Sequence, residues 1–170
     1  MAMITLSDVR GIADPLDTSA FEFSIPNFPG GDGRHLAIKC LECTLPGFGT
    51  AKKELEIHGY KLRYAGNKDF GGSITATFVE TRAGTVYRDL MIWSELVKTT
   101  RTGGGVSKDI YATIGKLDLM DNSNNNSLSF IIEGMFPEKV EDLSLGSADI
   151  MKVSVTFSYD ILAPEIIGAI

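Results

Sequence analysis

The stretch MKVSVTFSYDI, residues 151–161, decides the fold because apolar and polar side chains alternate along its whole length. Methionine, valine, phenylalanine, tyrosine and isoleucine occupy the odd positions, and lysine, serine, threonine and aspartate occupy the even ones. A period of two predicts a half-buried β-strand. SITATFVET, residues 73–81, repeats the pattern with threonines on its polar side, and SLSFIIEGMF, residues 127–136, begins in the same way. These stretches predict a mainly β protein of antiparallel strands.

Two further stretches are predicted strands with apolar residues on both faces. They are HLAIKCLECTL, residues 35–45, where the apolar set changes face, and KDIYATIGKLDLM, residues 108–120. A change of face indicates a bulge or burial on both sides. With 170 residues the chain has the length of one domain. We therefore expect residues 1–170 to form a single antiparallel β-barrel or sandwich with its core at about 20–162.

One segment departs from the strand pattern. TVYRDLMIWSELVKTTRTGGG, residues 85–105, places apolar residues at helical spacing, and it begins with a threonine that suits an N-cap and ends in three glycines. We predict one flanking helix at about residues 86–100 whose apolar stripe covers the end or flank of the barrel. The residues of this stripe are Tyr87, Leu90, Met91, Trp93, Leu96 and Val97.

A long hairpin is predicted between two of the strands. LPGFGTAKKELEIHGYKLRYAGNKDFGG, residues 45–72, has turn residues at both ends, and its apolar side chains change phase at Gly59. Such a change at a glycine indicates a bulge or sharp bend between two short strands. We expect a protruding hairpin loop at about 46–72, whose edges and aromatic residues need a cover. A neighbouring copy of the chain would supply that cover.

The charge distribution argues against a protein that grips nucleic acid. The net charge is −6, and residues 118–149 alone carry seven acidic residues against one basic residue. Tight binding to phosphate needs a basic surface, which this acidic chain lacks. The N-terminal residues 1–17 lack the basic and apolar regions of a secretory signal, and no stretch has the roughly 20 apolar residues of a membrane span. We expect a chain made in a cytoplasm, without membrane anchoring.

Signals for catalysis, metals or cofactors are weak. His35 and His58 lie far apart in sequence, with no serine or cysteine in a nucleophile motif that would pair with them. Cys40 and Cys43 form a lone C-x-x-C, which has too few ligands for zinc. They fit half-buried thiols or, alternatively, a bond to a neighbouring subunit. The glycine-rich loops lack phosphate-binding spacing. We expect no enzyme, metal site or cofactor.

An ordered series of segments resembles the tail tube proteins of contractile-tailed bacteriophages, a family structurally related to the type VI secretion tube protein. LECTLPGFGTAKKELEIHGYKLRYAG (41–66) is followed by GSITATFVETRAGTVYRDLMIW (72–93) and then by FIIEGMFPEKVEDLSLGSADIMKVSVTFSYDIL (130–162). In the family a strand ends at a Leu-Pro before an outreaching loop, matched by Leu45 and Pro46.

The later family features also have counterparts. The short helix with an Arg and a Trp is matched by Arg88 and Trp93, and GMFP at 134–137 precedes the final strand VTFSYD at 155–160. The resemblance covers roughly residues 35–162. It implies a structural protein whose six-membered rings stack into a tube, and it rests on order and spacing because the family has no catalytic signature.

The resemblance also implies roles for individual residues. The long loop would reach the adjacent ring, and polar strand faces would form a net negative wall of the lumen, where carboxylates keep DNA from adhering. The predicted ring-to-ring residues are Gly47, Phe48, Gly49, Lys52, Lys53, Tyr64, Asn67, Lys68, Asp69 and Phe70. The lumen candidates are Thr75, Thr77, Ser154, Thr156, Ser158 and Asp160. Cys40 and Cys43 are the candidate inter-subunit thiols.

The partners implied are further copies of the chain, a tail sheath outside, and a baseplate hub and tail terminator at the ends. A tape measure protein and genomic DNA would pass through the lumen without specific binding. The tube would be part of the virion tail, assembled in the cytoplasm of a host bacterium. Three alternatives stay open: the tube of a phage-like bacteriocin or secretion system, a ligand-binding barrel of lipocalin size, and a hydrolase with an unrecognised site.

Overall fold

The computed structural model describes residues 16–47, 49–69, 72–121, 125–143, 146 and 149–165. Within these residues the chain forms nine β-strands and three α-helices. The strands are β1 (Phe21–Ser24), β2 (Cys40–Cys43), β3 (Gly49–Ile57), β4 (Tyr60–Asp69), β5 (Gly72–Val79), β6 (Thr113–Met120), β7 (Asn126–Val140), β8 (Lys152–Tyr159) and β9 (Ile161–Pro164), and the helices are α1 (Gly33–Lys39), α2 (Thr85–Val97) and α3 (Lys108–Tyr111).

Seven of these strands form the body in the order β1, β6, β7, β8, β5, β2, with β9 also paired to β7. Every pairing is antiparallel. The long strand β7 belongs to two layers, because its first part pairs with β6 and β9 and its last part pairs with β8. Gly134 lies just before this change of partner, and its φ of 69° is a conformation that glycine adopts without strain. The result is the predicted antiparallel β-sandwich.

The core lies between the two layers, and strand β8 shows why the alternating sequence forms it. Val153, Val155 and Phe157 are completely buried, whereas the residues between them are partly exposed. Ile74, Ala76 and Phe78 of the paired strand β5 are buried on the same side. The predicted strand and its buried face are therefore confirmed over Lys152–Tyr159, whereas Met151 and Ile161, predicted on the same face, are 36% and 39% exposed.

Helix α2 is the predicted flanking helix, although it ends at Val97, earlier than predicted. Its indole side chain Trp93 is completely buried and packs against the rings of Phe28 and Phe157, with centroid distances of 5.3 and 5.7 Å. Met91 is 48% exposed, so its predicted place on the buried stripe is wrong. The buried residues of this helix are Val86, Leu90 and Trp93.

Two predicted strands begin with helical turns. Gly33–Lys39 is helical because the Asp32 side chain accepts a hydrogen bond from the backbone N–H of Arg34 at 2.9 Å, an N-cap, and Leu36 reaches the core. The strand starts only at Cys40, where the predicted bulge is present as a register shift. In the same way Lys108–Tyr111 forms one turn of helix before β6.

Candidate functional site

Strands β3 and β4 form a separate two-stranded sheet that protrudes from the body, as predicted for residues 46–72. A two-residue turn joins them, in which His58 and Gly59 have φ of 51° and 82°. Positive φ at both turn residues is typical of the tight hairpin turn whose twist matches that of its strands. Every residue of β3 is exposed. The chain thus extends a long hairpin without covering it.

The hairpin has one apolar face. Direct cross-strand pairing places Leu55 opposite Leu62 and Ile57 opposite Tyr60, so their side chains lie on the same side with that of Tyr64. Lys53, opposite Tyr64 and farther from the turn, is on this side as well. The exposed fractions of the five apolar residues range from 42% for Leu62 to 77% for Tyr60. We call Leu55, Ile57, Tyr60, Leu62 and Tyr64 the apolar hairpin face. A contiguous exposed apolar surface of this kind marks a site of protein association.

The opposite face of the hairpin is charged. Glu54 accepts from Lys52 Nζ at 2.9 Å and from Arg63 Nε at 3.3 Å, and Glu56 lies opposite Lys61 in the neighbouring pair. Exposed ion pairs contribute at most about 1 kcal/mol, because water already solvates the separated charges. This face is suited to solvent, and the apolar face is the one that gains from being covered.

The described members of the predicted ring-to-ring set lie on this hairpin or at its base, and their described side chains are all exposed. The residues predicted from the sequence for the ring-to-ring contact did not include Leu55, Ile57, Tyr60 and Leu62. The alternation of these residues is evident in the sequence. The pairing of the two strands across the tight turn is needed to show that they share one face. Phe48, Phe70 and the side chain of Asp69 lie outside the described residues. The described members of the predicted set are Gly47, Gly49, Lys52, Lys53, Tyr64, Asn67 and Lys68.

A second surface is the outer side of β5 and β8. Hydroxyl groups face each other across the two strands, with Thr77 Oγ1 3.0 Å from Ser154 Oγ and Thr75 Oγ1 3.4 Å from Thr156 Oγ1. Asp160 follows β8, and its carboxylate pairs with Lys108 Nζ at 2.5 Å. The five predicted lumen candidates in the strands therefore share one side of the sheet and carry neutral hydroxyls, whereas the sixth, Asp160, lies in the bend after β8. We call Thr75, Thr77, Ser154, Thr156 and Ser158 the hydroxyl face.

A family model described as phage tail tube protein matches residues 12–162, most of the chain. The chain belongs to the phage tail tube protein family. No match is found among curated proteins. The resemblance that the sequence suggested is thereby confirmed, and the family is one of structural proteins.

Solved structures share the fold of this tail tube protein. A chain from the sheath–tube complex of an extracellular contractile injection system, PVC, in its extended state superposes with a TM-score of 0.68 at 15% identity, covering 97% of this chain and 100% of that one. The tube-terminating cap of the anti-feeding prophage gives 0.70 at 13% identity, with 96% and 99% covered. The PVC sheath/tube terminator gives 0.68 at 14%, with 91% and 99% covered.

The outer side of the other layer of the tail tube protein is acidic. Glu22 and Glu133 are exposed there, and Asp118, opposite Glu22, is only 7% exposed. The one lysine beside them, Lys116, lies 3.4 Å from Asp118 Oδ1 and 3.3 Å from Glu165 Oε2. Carboxylates on this side therefore outnumber the cation that pairs with them.

The two cysteines of the tail tube protein are partly buried thiols. Cys40 and Cys43 pack against the core beside β5. Burial raises the pKa of each thiol to about 12, and the nearby Cys40 adds to the effect on Cys43. Both are therefore protonated at neutral pH. A bond to a neighbouring subunit, as proposed for them, would require the sulfur atoms to become accessible.

No metal-binding group of three or more His, Cys, Asp or Glu side chains occurs in the described part of the chain. Among the same residues, no helix is long and apolar enough to cross a membrane. The features that dominate this tail tube protein are thus surfaces: an apolar hairpin face, a hydroxyl face and an acidic face.

Proposed function

We propose that this tail tube protein forms six-membered rings that stack into the inner tube of a contractile phage tail, a rigid conduit for DNA ejection through the host envelope. The observation that carries the proposal is the protruding hairpin, whose apolar face is left uncovered by its own chain. The protein would act mechanically and without catalysis, in the virion tail, after assembly in the cytoplasm of the host bacterium.

Stacking would cover the hairpin by a head-to-tail contact between copies. A contact between two different surfaces of the same chain generates a closed ring if its rotation closes and an open filament if it does not, and stacking requires a contact of the second kind. Burying the side chains of the apolar hairpin face would contribute about 25 cal/mol per Å² of apolar surface removed from water. The hairpin would therefore connect one ring to the next.

The hydroxyl face is our candidate for the lumen wall. DNA is held mainly by lysine and arginine contacts to phosphate, and rows of Thr and Ser hydroxyls offer no such charge. Beside them, Lys139 pairs with Glu141 at 2.5 Å, and Lys108 pairs with Asp160. Both of these cations are paired, whereas Lys152, on the same side at the start of β8, is exposed. With so few free cations on this face, DNA and a tape measure protein would pass without tight binding.

The remaining partners would bind at other surfaces. A sheath would surround the tube, and a baseplate hub and a terminator would close its ends. The similar structures come from a sheath–tube complex, a tube-terminating cap and a sheath/tube terminator, which supports assemblies of this kind for the present chain.

The same similarities favour a second candidate, the tube of a bacteriocin-like or secretion-like contractile injection system without DNA cargo. PVC is an extracellular contractile injection system, and both it and the anti-feeding prophage share this fold. Genomic neighbours distinguish the two, since capsid and terminase genes beside this one indicate a phage.

The stacking role can be tested with two neighbouring hairpin residues. Leu62→Asp places a charge on the apolar hairpin face, and Lys61→Asp places the same side chain on the charged face. We expect Leu62→Asp to abolish tubes in electron micrographs, because the carboxylate would lose its hydration in the contact. Lys61→Asp should retain them. Normal tubes from Leu62→Asp, with an unchanged circular dichroism spectrum, would refute the role of this face.

A further inference from the structure

A groove lies between the start of α2 and the residues that precede β8. The groove is lined by Tyr87, Met91, Ile150 and Met151 together with Arg82, and its volume is about 820 Å³. Met91 is 48% exposed and Ile150 is 67% exposed, so large apolar side chains face solvent here. None of these residues contributes to the hairpin or the hydroxyl face.

The groove and the hairpin are at opposite ends of the same sheet. The hairpin joins β5 at Gly72, whereas the groove begins where β5 ends, at the backbone hydrogen bond from Glu80 N–H to Met151 O of 2.9 Å. Eight strand residues separate the two ends, which corresponds to about 26 Å at 3.3 Å per residue.

We propose that this groove binds the hairpin tip, Ile57 and Tyr60, of a second copy in the adjoining ring. The inference rests on the proposed stacking of rings and adds the acceptor surface. Head-to-tail repetition requires two different, complementary surfaces on each copy, and the hairpin base and the groove lie at the two ends of β5.

The chemistry of the two surfaces matches. Tyr60 is the most exposed member of the apolar hairpin face, at 77%, and it stands beside the turn. Thioether side chains such as Met91 and Met151 adapt to an aromatic ring and contact it favourably. The groove is large enough for the isoleucine and tyrosine of the tip together.

Charge adds direction to the contact. Glu56 precedes Ile57 beside the turn, on the charged side of the hairpin. Arg82 lines the groove together with Arg88 and Asp149. Within the described part of the chain neither Glu56 nor Arg82 takes part in an ion pair. Opposite charges at the edge of an apolar contact fix its register and exclude wrong orientations.

The test is disulfide trapping in assembled tubes of the full chain. The double variant Tyr60→Cys/Ile150→Cys should yield a ladder of cross-linked multimers on non-reducing gels. The matched control is Tyr60→Cys/Ile110→Cys. Ile110 is also exposed, at 55%, but it lies in helix α3, whose Lys108 pairs with Asp160 at the hairpin end of the body. We expect at least tenfold more cross-linked product from the first pair. The wild type, with only Cys40 and Cys43, measures background.

A charge exchange tests the same contact without cysteines. Arg82→Glu should reduce tube yield at least tenfold, and Arg82→Glu/Glu56→Arg should restore it. If the control pair cross-links as efficiently as the groove pair, the groove is not the acceptor site, although the proposed stacking of rings would still stand. Normal tubes from Ile150→Asp would assign the groove to another occupant, such as an outer sheath, and also overturn it. A wild-type chain that never forms tubes refutes the stacking proposal itself.

Discussion

Glu80 shows how one buried carboxylate fixes the connection between the sheet and the helix. It is 9% exposed and accepts hydrogen bonds from the backbone N–H groups of Thr81, Val86 and Tyr87. Burial raises the pKa of this carboxyl, but those N–H groups and the nearby charge of Lys39 lower it more, to a net value below the ordinary 4.5. Glu80, which directly follows strand β5, therefore caps the N-terminus of helix α2. The predicted Thr85 N-cap is wrong, since Gly84 occupies that position.

This arrangement predicts a pH-dependent loss of stability. Glu80→Gln should lower the free energy of unfolding at pH 7 by about 1–2 kcal/mol, because a neutral amide accepts these hydrogen bonds less strongly and brings an unwanted donor. A carboxyl whose folded pKa is depressed stabilises fully above its unfolded pKa and loses this effect as the pH falls. The difference between variant and wild type should thus shrink below pH 4.5.

Urea unfolding between pH 3 and pH 8 measures this difference. Glu138→Gln, at an exposed position of β7, removes the same charge and serves as the control. A Glu80→Gln deficit that stays constant across this pH range would contradict the capping role.

At the scale of elements, strand β7 joins the two layers of the sandwich. Gly134 has φ of 69°, and a Cβ added there would collide with the carboxylate of Asp160. This carboxylate forms an ion pair with Lys108. Gly134→Ala should therefore destabilise the protein by about 1–3 kcal/mol through backbone strain alone, and by more if the ion pair is lost. Thermal unfolding followed by circular dichroism measures the loss.

Gly47→Ala is the matched control, because Gly47 has open space where a Cβ would be and no positive φ. It should change the stability by less than about 0.5 kcal/mol, as exposed substitutions do. Equal effects of the two substitutions would show that the bend in β7 does not depend on glycine.

How far the sequence predicts these elements depends on the length of their pattern. Strand β8 alternates over its full length, and each predicted core residue in it is buried. Helices α1 and α3 are short, and their few residues fit a strand as well as a helix. In α1 the choice is made by Asp32, a cap that only the folded loop identifies. Short elements therefore depend on tertiary contacts.

The candidate surfaces were predictable to different degrees. The hydroxyl face follows directly from the alternation of β5 and β8. The apolar hairpin face was missed in part, because its composition depends on which residues pair across the turn at His58 and Gly59. The groove could not be predicted, because Tyr87 and Ile150 are distant in sequence and meet only in the folded sandwich.

The whole molecule is a subunit with two unlike ends. The hairpin leaves the body beside Gly72, and the groove lies at the other end of β5. Two unlike surfaces of this kind are what the proposed stacking of rings requires. With a net charge of −6, the chain lacks the excess of basic residues that tight DNA binding requires.

Electron cryomicroscopy of the purified chain, from low to high concentration, would show whether the rings form and stack through the hairpin. We expect hollow tubes of stacked six-fold rings, with each hairpin crossing to the adjoining ring and the hydroxyl face towards the lumen. A chain that stays monomeric up to its solubility limit, or tubes in which the hairpin contacts only its own ring, would contradict this expectation.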